Sequence, residues 1–109
     1  MAIDVEPILE ALETSAGDAF HGITSDLEKH IFPALAGIAK SIVAIAADVA
    51  AGEISESRAK IELRMARNAA EAWIVGFVEA TLERIQGAIN ATLRAAAEVI
   101  NRAVGFALL

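Results

Sequence analysis

The chain has 109 residues, the size of one small domain, so two independent cores are excluded. Hydrophobic types make up 56% of it and aromatics only 5%, too apolar for intrinsic disorder, while two prolines and seven glycines exclude collagen-like or Pro-rich character. The absence of cysteine removes disulfides, thiolate metal sites and a cysteine nucleophile, and a formal charge of −6 argues against a nucleic-acid partner held by counterion release.

Helical periodicity runs through every long stretch. In the first, Val5, Leu9, Leu12, Ala16, Ala19, Ile23 and Leu27 fall on one stripe, with Glu6, Glu10 and Glu13 beside it. Residues 1–30 carry seven acids against Lys29 alone, whereas residues 31–109 hold eight acids and eight bases. This predicts a solvated acidic face, with docking of a basic partner as the alternative. Gly17 and Gly22 predict a break near 17–24, and Ser25 with Glu28 reads as a capping box that restarts the helix.

Pro33 is tolerated in a first turn and kinks a helix interior. After it Leu35, Ile38, Ile42, Ile45 and Val49 step 3, 4, 3, 4, a coiled-coil-like seam. Gly52 predicts a C-terminal cap and Ser55 an N-cap, so residues 51–55 form the turn of an αα-hairpin. From Ser55 to Leu108 there is no proline and no cluster of turn residues. An unbroken helix there would be about 81 Å long at 1.5 Å per residue. The chain therefore either bends back, around Gly76, or is elongated within an assembly.

Two stripes divide this second arm. Ile54, Ile61, Met65, Ala69 and Ala72 form one, and Val78, Leu82, Ile85, Ile89, Leu93, Ala96, Ile100, Val104 and Ala107 the other, turned about a quarter revolution away. The second repeats every eleven residues, a period that favours straight or slightly right-handed packing. Between them the block Trp73–Val78 is apolar all round, which predicts burial on several sides. Small residues recur at i, i+4 in Gly37 and Ser41, Gly76 and Ala80, and Gly87 and Ala91, a spacing that permits close helix approach.

No secretory signal is expected, because Met1-Ala2-Ile3-Asp4-Val5-Glu6-Pro7 is acidic where a signal needs a basic start. No clear transmembrane helix is expected either, since Lys40 and Asp48 interrupt the best window, 31–51. A mean hydropathy of +0.52 still demands burial somewhere, in an oligomer interface or, second, at a membrane surface. The apolar end Val104-Gly105-Phe106-Ala107-Leu108-Leu109 predicts docking on a neighbouring subunit or a bilayer.

Chemistry-bearing constellations are sparse. Asp26 and His30 at i, i+4, and Asp18 with His21, suggest at most a carboxylate–imidazole pair, and solvated histidines are the simpler reading. Glu79 and Glu83 read as a polar stripe with Arg84 in preference to an acid/base pair. Arg58, Lys60, Arg64 and Arg67 are interleaved with Glu56, Glu62 and Glu71, the pattern of i, i+4 ion pairs such as Glu56–Lys60. Asn90-Ala91-Thr92 is a glycosylation sequon without a secretory context. No phosphate-binding loop, dinucleotide fingerprint or nucleophile elbow occurs. No enzymatic activity, cofactor or metal is expected.

The stretches Ala50-Ala51-Gly52-Glu53-Ile54-Ser55, Arg58-Ala59-Lys60-Ile61-Glu62-Leu63 and Ile100-Asn101-Arg102-Ala103-Val104-Gly105-Phe106-Ala107-Leu108-Leu109 resemble small alanine-rich helical proteins of tailed phages and prophages. The resemblance covers about the second half of the chain and carries no catalytic motif. It implies a virion part, an assembly factor or a lysis-linked protein, located in the bacterial host cytoplasm or the virion.

The expectation is therefore one all-α domain, 1–109, packing as a helical-bundle oligomer. It is a long helical hairpin with a kinked acidic first arm (1–51), a turn at 51–55 and a long second arm (55–108). The function expected is that of a non-enzymatic, self-assembling structural protein of a phage virion or its assembly, with a membrane-active, holin-like protein as the alternative. Partners would be the chain itself and other phage proteins. The oligomer interface expected comprises Trp73, Phe77, Val78, Leu82, Ile85, Ile89, Leu93, Ile100, Val104 and Phe106.

Overall fold

The computed structural model describes residues 3–24 and 26–109. They form four α-helices, α1 (Val5–Ala19), α2 (Phe32–Ala50), α3 (Glu56–Val75) and α4 (Leu82–Val104), with a π-helical turn over Leu27–Ile31. The most extensive contacts are α1 on α4 and α2 on α3; α1 with α2 and α3 with α4 close the ring. One hydrophobic core runs through it, with Ile8, Leu12, Phe20, Leu35, Ile42, Ile74, Ile85, Ile89 and Ile100 all fully buried.

Local signals set most of the boundaries. Asp4 caps α1 by accepting the Glu6 N–H, and Gly22, at φ 81°, turns the chain just past Phe20. Ser25 lies outside the described residues; Asp26 beside it caps the π-turn by accepting the Lys29 N–H at 3.1 Å. There the Phe32 N–H reaches back five residues to the Leu27 carbonyl. Pro33 follows in the first turn of α2, the tolerated position, where its missing N–H breaks no interior bond. At the far end of α2 the Gly52 N–H bonds to Val49 O and the Glu53 N–H to Asp48 O. With Gly52 at φ 74°, this is a Schellman motif. Ser55 then caps α3 through the Arg58 N–H at 3.0 Å, so residues 51–55 connect α2 and α3.

The second arm takes the bent course of the two left open for it. It is two helices, parted at Gly76–Thr81. The Ile74 carbonyl receives the Phe77 and Val78 N–H groups, and Thr81 Oγ1 accepts the Arg84 N–H to start α4. The break lets α4 pack on α1, so the molecule measures 41 × 21 × 19 Å with a radius of gyration of 13.4 Å. That matches the roughly 13 Å of a compact chain this long.

The two stripes of this arm differ in what covers them. Val78, Ile85, Ile89, Leu93, Ala96 and Ile100 are buried within the chain's own fold, so most of the eleven-residue stripe is core, while Leu82 is exposed. On α3 the inward residues are Ala59, Leu63, Ala70 and Ile74, while Ile61, Met65, Ala69 and Ala72 face outward. The C-terminal segment is covered by its own chain as well. Gly105, at φ 85°, ends α4, and the tail folds back so that Leu108 is 3% exposed. The Asn101 side chain fixes it, accepting the Leu109 N–H at 2.9 Å and donating to the Leu109 carbonyl at 3.0 Å. Leu108→Ala is expected to cost about 2 kcal/mol in a urea titration, the low end for a buried leucine because a terminal site relaxes easily.

Between α3 and α4 the contact is partly polar. Arg67 donates to Asn90 Oδ1 at 3.1 Å, Gln86 donates to Glu71 Oε2 at 3.3 Å, and Arg67 Nε stands 3.7 Å from Glu71 Oε1. Glu71 is 5% exposed, so its carboxylate depends on these partners. Arg67→Ala is expected to destabilise by about 1–3 kcal/mol in the same titration, by leaving Glu71 and Asn90 underbonded.

Candidate functional site

Apolar surface remains in water on the side of the molecule formed by α2 and α3, and also at Phe77, Leu82 and Val99. Lys40 and Asp48 are the only charged residues in α2. Around them Pro33, Gly37, Ala44 and Ala47 are exposed, and Ala51 follows at the cap. Alongside, α3 presents Ile61 (47% exposed), Met65 (61%) and Trp73 (46%).

Two shallow depressions run between these helices. One, of about 260 Å³, lies between Gly37 and Ser41 on α2 and Ala66, Ala69 and Trp73 on α3. The other, of about 290 Å³, is bounded by Ser41, Ala44, Asp48, Glu62, Met65 and Ala66. They share Ser41 and Ala66, so they form one groove, with Trp73 at one end and the acids Asp48 and Glu62 at the other.

The aromatic end is built by the π-turn and the α3–α4 corner. The Trp73 indole N–H donates to the His30 carbonyl at 3.3 Å. Phe77, 54% exposed, lies 4.8 Å from the Trp73 ring and stacks on His30 at 5.6 Å and 18°. The hydrogen bond and the stack hold Trp73 in place with nearly half its surface in solvent, which suits an anchor for another surface.

The ten residues expected at an oligomer interface therefore divide. Val78, Ile85, Ile89, Leu93 and Ile100 are core, because α1 and α3 already cover them. Val104 and Phe106 are partly buried against that core. Trp73, Phe77 and Leu82 are exposed, and the apolar block 73–78 buries only Ile74 and Val78. Sequence reasoning missed Met65 and Ala44 as surface. The signal was Lys40 and Asp48, which fall on one side of α2 eight residues apart and mark it as the wet side.

Elsewhere, Asp26 is engaged in capping and His30 in stacking. The ion pairs formed on α3 are Arg58–Glu62 at 3.9 Å and Arg67–Glu71, in place of the expected Glu56–Lys60. The segment Leu27–Ala50, 24 residues with a mean hydropathy of 1.6 in its best window, is long and apolar enough to cross a membrane, contrary to the reading of 31–51. In this fold 44% of that window is buried inside the chain's own fold. What the groove offers is apolar area bounded by charge.

No family model matches the chain, and no curated protein or solved structure is significantly similar to it.

Proposed function

We propose that this is a non-enzymatic, self-assembling helical structural protein of a phage virion or its assembly, the context that the resemblance of its second half to small phage proteins implies. The supporting observation is the apolar α2–α3 face, on which Met65, Trp73 and neighbouring alanines stand in water on a small folded unit. Exposed apolar patches of this kind mark interaction sites. Other phage proteins would be further partners, and the host cytoplasm or the virion the location.

A membrane-active, holin-like role has one observation in its favour, the length and hydropathy of Leu27–Ala50. Against it stand Lys40 and Asp48, costly at bilayer depth. Sucrose flotation with anionic vesicles separates the readings. The structural reading predicts that the protein stays at the bottom of the gradient as a discrete oligomer; flotation with the vesicles would favour the membrane reading.

A further inference from the structure

We infer that the α2–α3 face joins two copies of this chain about a two-fold axis beside Ala44, with the two α2 helices antiparallel. The inference rests on the self-assembly reading and specifies its geometry.

A two-fold contact must be complementary to itself. In an antiparallel pair centred on Ala44, each residue before it stands level with the one equally far after it. Lys40 and Asp48 lie four residues to either side, so Lys40 comes level with the partner's Asp48, and symmetry repeats the pair. A parallel pair in register would instead set lysine beside lysine and aspartate beside aspartate.

The two charges are also unmatched in the isolated subunit. Among the described residues neither has an ion-pair partner. Asp48 sits in the last turn of α2, which holds no basic residue, where the negative end of the helix disfavours a carboxylate. A lysine arriving from outside corrects that local fault. Between the charges the surface is small, with Ser41, Ala44 and Ala47, and one turn before Lys40 Gly37 also lets two backbones approach, with nothing within 4 Å of where its Cβ would be.

The neighbouring helix fits the same axis. Ala44 and Met65 border one depression, so the axis that passes Ala44 also passes Met65. Met65 then meets the partner's Met65, two flexible thioethers able to fill an irregular seam.

The chain has no cysteine, so one introduced thiol reports the axis. Under mild oxidation A44C is expected to form a disulfide-linked dimer, because Cα atoms beside the axis lie within the roughly 7 Å a disulfide spans. A91C, exposed on α4, is expected to stay monomeric on the same non-reducing gel. In sedimentation equilibrium K40D and D48K are each expected to weaken dimerisation about tenfold or more, since each sets like charges together. K40D/D48K is expected to return to within about threefold of the unmodified chain. Circular dichroism confirms that each variant is folded. An oligomer in which A44C links no faster than A91C, or in which the double variant fails to recover, overturns the axis and leaves self-assembly standing. A monomeric unmodified chain overturns both.

Discussion

Ile89→Asp is expected to unfold the chain, with loss of the helical circular dichroism signal and of any cooperative melting transition. Ile89 is fully buried on α4. An aspartate there removes a large apolar contact and places a carboxylate among hydrocarbon side chains, at several kcal/mol for the unpaired charge alone. Small domains hold only about 5–15 kcal/mol in total, so the two losses together consume most or all of it. Ile89→Ala, which leaves a cavity and no charge, is expected to cost about 2–5 kcal/mol and to leave a folded, less stable protein. If Ile89→Asp gave a folded monomer, the residue would be an interface residue and the packing of α4 described here would be wrong.

Met65→Glu is expected to do the opposite, leaving the fold intact and dissociating the proposed assembly. Met65 is 61% exposed on α3, a helix position where glutamate is well tolerated, so unfolding measured at concentrations where both chains are monomeric should shift by no more than about 0.5 kcal/mol. Across a two-fold axis the substitution sets two glutamates face to face in a surface that has lost its water. The like-charge cost of several kcal/mol should weaken association about a hundredfold. Sedimentation equilibrium with a parallel urea titration reads both effects. Association unchanged beside an unchanged fold would remove the α2–α3 face from the account.

Comparing these two residues shows what the sequence could carry. Ile89 and Met65 both sit on clean helical stripes. Periodicity reports that a helix has an apolar face and is silent on what covers it. On α4 the covering is α1 and α3 of the same subunit. On α3 the larger side chains, Ile61 and Met65, are outside, and the inward face is made partly of Ala59 and Ala70, whose small size allows α2 and α3 to sit close. The more hydrophobic side of α3 is therefore its outer side. The turns were legible where a glycine takes a positive φ, at Gly22 and Gly52. The corner at Gly76–Thr81 was half legible: the glycine marked the stop, but the start rests on one threonine cap inside an alanine-rich stretch with no proline. The tail was misread because Asn101, eight residues before Leu109, gives no sign in sequence that it will clamp the chain end.

The central claim is that the apolar face of α2 and α3 is covered by another copy of this chain. Molecular mass against concentration, by light scattering on protein purified without detergent, tests it most directly. The account predicts an even multiple of 11.4 kDa that falls toward a single chain only on dilution. A mass of 11.4 kDa that holds up to the highest concentration reached would contradict it.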